Sequence, residues 1–500
     1  MITKSRAEAT LAICMLAGAC AGIAGCASPR FDLGPVASAD VAPDGNERLR
    51  SLGPVFEKQQ AADGKRFLAV RPFLASVKNP EERILSEFVW PVGMKKEFGT
   101  DRFWRFLTAY GNDFNTSDPG SRYRFVIFPF IFAGRDKAGE GYFALFPLGG
   151  TIHEYLRRDR IAFLLFPLYG WSAVGDARTT SLLWPIVSRT RGDGVSRFRA
   201  FPFYGRSFSR DCWTKQFVCW PVWTSVRYEY PDAAGDGGFV LFPLFGRLKY
   251  KGQKTLMLVP PLFRWTAGEG EKRVFCPWPF FQYSKGQTDK LYLWPLWGKK
   301  SSAGMQSSFL LWPVVRRERV EQRGRVTRRL FIAPFVVSEV SCSSSAGGTQ
   351  GAVKPDGADV SAEESPEAPG DAAAVDARYF KLWPIFSWGR ESDDSRFRML
   401  ELWPTRDLAP VERNFSPFWT LYSRVSVDDV CEHELLWGIF RRRTEGSVFS
   451  RTALFPFVET HYDVRGEACR GLSILKGLFE YRRAGLRKSV KLLYFLELTL

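Results

Sequence analysis

One short apolar pattern returns along most of the chain. It consists of an aliphatic residue, Phe or Trp, Pro, and an aliphatic or aromatic residue, often followed by a second aromatic and then Gly or Ser. It reads Leu165-Phe166-Pro167-Leu168-Tyr169-Gly170, Leu241-Phe242-Pro243-Leu244-Phe245-Gly246, Leu293-Trp294-Pro295-Leu296-Trp297-Gly298 and Leu382-Trp383-Pro384-Ile385-Phe386-Ser387. Full copies sit at Pro147, Pro167, Pro185, Pro243, Pro295, Pro313, Pro384 and Pro456, and weaker ones at Pro54, Pro72, Pro91, Pro129, Pro202, Pro221, Pro261, Pro279, Pro334 and Pro404. Eight of the steps between neighbouring copies are 18 or 19 residues. The gap of 38 between Pro91 and Pro129 places a degenerate copy around Phe106 to Tyr110.

Between the prolines lie polar segments with turn chemistry, such as Gly175-Asp176, Gly192-Asp193-Gly194 and Lys285-Gly286. Runs alternating charge and bulk flank them, as in Arg197-Phe198-Arg199-Ala200. Period-two alternation beside a short Gly-containing turn predicts antiparallel hairpins. The chain is therefore read as all-β: an antiparallel meander of about 22 strands, each centred on a proline and roughly 10 to 12 residues long. A β-solenoid is the alternative use of such a period, but steps range from 16 residues (Pro279 to Pro295) to 22 (Pro221 to Pro243), more than stacked coils tolerate.

With the proline as position zero in a strand, −4, −2 and +2 form one apolar face, and the other face admits Arg199, Lys381 and Glu401 at −3. A sheet this wide is expected to close, which makes a transmembrane barrel the first model. The alternating end, Leu492 to Leu500, resembles the closing strand of outer-membrane barrels, although it ends in Leu and not Phe. The prolines oppose that model, because each deletes a ladder donor. The alternative is a soluble body bent into two layers with the apolar face inside.

Composition sharpens this picture. Aromatic residues make up 15% of the 500 residues, and hydrophobic residues 45%, which excludes a disordered chain. After the first thirty residues no apolar run reaches the length of a spanning helix. Residues 341–377 hold no aromatic residue and carry seven acids against Lys354, reading as a disordered acidic insertion in a single β-repeat domain over 51–500.

The first residues have the anatomy of a signal peptide, with Lys4 and Arg6 ahead of an apolar stretch. The closing Ile23-Ala24-Gly25-Cys26 resembles the lipobox of bacterial lipoproteins. That resemblance implies a signal peptide over 1–25 and acyl chains, palmitate among them, on Cys26. It also implies a linker over 26–50 and an outer-membrane address in a Gram-negative envelope, given Ala27 and Ser28 after the cysteine.

The net charge of +17 needs a counter-ion. Arg316, Arg317, Arg441, Arg442, Arg443, Arg482 and Arg483 form a candidate anion rim. In an exported protein its partners are anionic lipid or lipopolysaccharide, not nucleic acid. Catalytic and cofactor chemistry is thin. The three histidines are scattered, and the ligands in Cys431-Glu432-His433-Glu434 alternate between strand faces, so no metal or cofactor is expected. No hydrolase constellation is present, and an enzyme is not expected. Cys212 and Cys219 are near enough in sequence to bridge a hairpin. The expected function is an envelope protein with transport or structural duties, or else a lipid-anchored scaffold for envelope components.

Overall fold

The computed structural model describes residues 31–81, 83–268, 270–343, 375–466 and 468–499. The signal segment, Cys26 and residues 344–374 of the acidic insertion lie outside them. The described residues form an antiparallel meander of 46 strands, mostly five or six residues long. Ladders join sequence neighbours, as Val195–Ala200 with Tyr204–Ser209 and then Tyr204–Ser209 with Trp213–Val218.

The strand count is twice the expected one because the prolines occupy turns and not strand centres. In Leu165-Phe166-Pro167-Leu168 the Leu168 amide donates to the Leu165 carbonyl at 2.8 Å, and the Phe166–Pro167 bond is cis. This is the tight turn that carries cis-proline at its third position. A repeat of 18 residues is thus a whole hairpin unit: two six-residue strands, one apolar proline turn and one polar turn. The expected loss of ladder donors does not arise, since the proline nitrogen faces the turn. The ladder even continues across turns, with Phe166 donating to the Pro147 carbonyl and Trp184 to that of Pro167, both at 2.8 Å.

The proline turns take two forms. At Pro243 and Pro295 the ladder closes from −2 to +2, as Leu241 opposite Phe245 and Leu293 opposite Trp297. At Pro167, Pro185, Pro261 and Pro313 it closes from −3 to +2, and the extra −2 residue takes a positive φ: Leu165 45°, Leu183 48°, Val259 44° and Leu311 48°. Because the chain reverses at the proline, the face running from −4 to +2 does not exist. Pro404 departs from the set, in an irregular stretch between strand Asp394–Met399 and the short helix Ala409–Asn414.

The first strand, Phe31–Asp32, pairs with Ala37–Val41, and the last, Leu496–Thr499, with Arg487–Leu492. No ladder among the described residues joins the two ends, so the sheet is not closed into a barrel. The expected closing strand is itself broken by a turn over 493–495. Residues 31–50, expected as linker, already hold strands Phe31–Asp32, Ala37–Val41 and most of Glu47–Ser51. At the acidic insertion, strands Val336–Ser343 and Val375–Leu382 reach further than expected, with Ser341 opposite Ala377. The described residues fall into two compact units, those of 31–80 with 412–499 and those of 81–411.

Among the described residues 13 hydrophobic and 20 polar or charged side chains are buried. Apolar burial alone therefore does not hold the sheet, and ladders and cross-strand pairs carry much of the cohesion. The second unit has a small core of Val126, Phe132, Tyr142, Ala144, Ile152 and Phe163. Elsewhere in it, Thr179 and Thr190 share a hydrogen bond at 2.8 Å, and Thr255 and Thr266 one at 2.9 Å. In the first unit Ala37–Val41 and Glu47–Ser51 meet Val430–Leu435 and Phe440–Glu445 through side chains. This is the expected two-layer contact, except that charged groups fill it where apolar ones were expected.

Candidate functional site

A meander alternates its turns between two sheet edges. Two strands per repeat therefore put every proline turn of the second unit on one edge and every polar turn on the other. The polar edge carries Asp193-Gly194, Lys251-Gly252 and Arg323-Gly324, each with positive φ at both residues, as two-residue hairpin turns require. The proline edge is apolar and open. Its +1 residues include Phe203, Leu244 and Leu296, exposed at 69%, 61% and 60%.

Behind these tips several neighbouring −1 rings pair. Phe146 and Phe166 have centroids 5.2 Å apart, Phe166 and Trp184 5.6 Å, Phe201 and Trp220 5.5 Å, and Trp294 and Trp312 6.0 Å. These are distances at which aromatic pairs are favourable.

Positions +2 to +4 set the depth profile behind the row. At Pro202, Pro243 and Pro295 the +2 residue is aromatic and exposed: Tyr204, Phe245 and Trp297. At the same three turns the +3 residue is a buried glycine. A Cβ on Gly205 would lie 2.1 Å from the Phe217 ring, and one on Gly298 2.3 Å from that of Phe309, so glycine makes room for the neighbouring strand's ring. At five turns the +4 residue is basic and exposed: Arg189, Arg206, Arg247, Lys299 and Arg317. Since +2 and +4 share a strand face, the hairpins at Pro202, Pro243 and Pro295 show an aromatic ring near the edge and a cation behind it.

The first unit holds a different cluster. Arg48 grips Asp40 with Nε at 2.9 Å and Nη2 at 3.2 Å, and its Nη2 also reaches Glu432 at 2.8 Å. Arg50 pairs with Glu434 at 2.7 Å and Arg441 with Asp40 at 2.6 Å. Burial pushes the Asp40 and Glu434 carboxyls up, but the surrounding arginines, Arg48 first for Asp40 and Arg50 first for Glu434, outweigh it and hold both well below the usual carboxylate range. A cavity of about 240 Å³ adjoins the cluster, lined by Asp32, Arg441, Arg443, Glu445, Arg451 and Asp463 among others. Its arginines are matched by acids, which makes it a structural junction and no selective anion site.

The expected rim separates. Arg316 and Arg317 are exposed in the second unit, where Arg317 is a +4 residue, and Arg316 pairs with Glu318. Arg442, Arg482 and Arg483 are exposed in the first unit. Arg441 is buried in the ion cluster, and Arg443 is half-buried, donating to the Val41 carbonyl and pairing with Glu445. These two are junction residues and not rim. The +4 series was missed except for Arg317, although its signal, a basic residue four after the proline, is present in the sequence.

In Cys431-Glu432-His433-Glu434 the alternation is as expected: Cys431 Sγ lies 3.4 Å from His433 Nε2, while Glu432 and Glu434 enter the ion cluster. Cys212 and Cys219 do not bridge, because they occupy a polar and an apolar turn at opposite ends of Trp213–Val218. Asp136, Glu140 and His153 approach one another, but the buried pair is satisfied internally, with His153 Nδ1 2.7 Å from Asp136 and the Ala138 and Glu140 amides donating to the same carboxylate. Among the described residues no helix is long and apolar enough to cross a membrane.

No protein family and no curated protein matches the chain. Among solved structures it is similar to the TCP10 domain of Danio rerio CPAP in complex with a peptide of Danio rerio STIL. The identity is 12%, covering 48% of this chain and 98% of that one, with a TM-score of 0.17. A likeness of that size carries no functional argument.

Proposed function

We propose that this chain is an exported scaffold of the Gram-negative cell envelope. Acyl chains on Cys26 hold it to the outer membrane, and its repeats present aromatic and basic side chains to anionic envelope components. The observation that carries this reading is the exposed pairing of a +2 aromatic with a +4 basic residue at three turns of one edge: Tyr204 with Arg206, Phe245 with Arg247, Trp297 with Lys299. An array of this kind suits an extended anionic partner better than a small substrate, for which an enclosed apolar pocket is the usual site. The lipobox-like Ile23-Ala24-Gly25-Cys26 supports the anchor.

The test is metabolic labelling with palmitate, together with mass analysis of the mature N-terminus. The wild-type chain is expected to take up label and to begin at an acylated Cys26, and Cys26→Ser to remain unlabelled. A mature wild-type chain without acyl groups overturns the anchored reading.

A further inference from the structure

We propose that the proline-turn edge of the second unit is a bilayer-docking edge, dipping its turn tips into the acyl region of a membrane that contains anionic phospholipid. This deepens the preceding reading and rests on it only for bringing a membrane within reach. The argument begins with the contrast between the two edges. The polar edge has the glycine and aspartate turns expected at a water-facing surface, whereas the other edge exposes Leu168, Ile186, Phe203, Leu244, Leu296 and Val314 at its +1 positions. Water opposes a continuous row of this kind, because contiguous exposed apolar surface marks an interaction site.

The depth profile favours a bilayer as the occupant. Strand rise puts the +4 cations roughly 10 Å behind the +1 tips, about three residues at 3.3 Å each. Interfacial insertion buries apolar groups by about 5 to 10 Å, so Arg189, Arg206, Arg247, Lys299 and Arg317 come to the level of the phosphates when the tips are in the acyl region. The +2 rings of Tyr204, Phe245 and Trp297 then lie between, at the depth that aromatic belts occupy. The apolar tip, aromatic and cation stand in this order at the Pro202, Pro243 and Pro295 turns, and Arg189 and Arg317 add cations at the same depth at two more. The turns between them keep the edge apolar through the exposed tips Val222, Leu262 and Phe280, so that the whole row matches a layered lipid surface. Ring pairs such as Phe166 with Trp184 and Trp294 with Trp312 tie some neighbouring tips together.

Two native thiols provide the test. Cys219 lies in the apolar turn at Pro221 and Cys212 in the polar turn at the other end of the same strand, roughly 20 Å away for six residues. The full acylated chain, in variants keeping Cys26 and only one of these thiols, is labelled with an environment-sensitive fluorophore. It is then mixed with vesicles of phosphatidylethanolamine and phosphatidylglycerol, and circular dichroism on the same samples reports folding. The expected result is a blue-shifted probe at Cys219, quenched by lipids brominated on their acyl chains, with the probe at Cys212 remaining aqueous.

Each of Phe203→Asp, Leu244→Asp and Leu296→Asp is expected to shift the ratio of docked to undocked edge by roughly tenfold. Each of Arg206→Gln, Arg247→Gln and Lys299→Gln is expected to shift it by roughly fivefold at low salt, and less at high salt. An aqueous Cys219 probe on vesicle-bound, folded protein overturns the proposal. So does a shift at Cys219 without vesicles accompanied by Cys219-to-Cys219 cross-linking, which would show that a second copy covers the edge. Palmitate labelling reports the anchor separately, so failure of the edge and failure of the anchor are distinguishable.

Discussion

A methyl group on Gly205 would stand 2.1 Å from Phe217 Cε1, closer than any real contact, and Gly298 faces Phe309 in the same way. Gly205 and Gly298 are thus sockets for rings from the neighbouring strands. Gly205→Val is expected to destabilise the second unit by about 1–3 kcal/mol, the usual effect of overpacking. Phe217→Leu in the same chain should recover much of that loss, and a double-mutant cycle by denaturant titration measures the coupling. Strictly additive effects would show that ring and glycine do not share the space. The glycine was legible in the sequence as part of the repeat, but its reason was not. A periodic glycine looks the same whether it serves a turn, a bulge or a neighbour's ring, and only the register Gly205 opposite Phe217 decides.

At the scale of elements, half of the turns were legible. Polar turns such as Asp193-Gly194 announce themselves by residues that tolerate positive φ. The proline turns were taken for strand centres, because Leu-Phe-Pro-Leu has the apolarity of a buried strand while turns are expected to be polar. The same elements build the charged junction of the first unit, where Asp40, Arg48, Arg50, Glu432, Glu434 and Arg441 lock two pairs of strands together. Asp40, Glu57 and Glu434 have native carboxyls held below their unfolded values. Their stabilisation is therefore full above the ordinary carboxylate range, about pH 4, and is lost as the pH falls through their lower native values. Denaturant titration at descending pH is expected to show the first unit weakening below about pH 4. Arg48→Met should remove that acid dependence in part and cost about 3–5 kcal/mol at neutral pH, since it leaves Asp40 and Glu432 buried with fewer partners. An acid profile unchanged by Arg48→Met would show that the pairing contributes nothing to the pH dependence.

At the scale of the whole molecule, pairing between sequence neighbours gives the quasi-one-dimensional stability of repeat proteins. Removing residues 168–185 joins Pro167 to Ile186 and deletes one 18-residue unit while keeping a proline turn in place. This chain is expected to stay folded, with its β-sheet circular dichroism retained and a modest fall in melting temperature. Deleting only strand Ala177–Leu182 would bring polar and proline turns onto the wrong edges, and is expected to unfold the region. Equal loss of structure in both chains would mean that the repeats are not independent units.

The sequence by itself determined the period, the all-β antiparallel character and the alternation of polar and apolar segments, because strand pleat and turn chemistry are local and repeat with the residues that cause them. The tertiary structure alone decided that the prolines turn the chain, that 46 strands stand where about 22 were expected, and that the sheet stays open. It also decided that the cations fall into a row behind the apolar tips. Those outcomes depend on which carbonyl each amide meets and on which residues lie opposite one another across the ladder. Both are properties of register, and register is set between strands rather than within them.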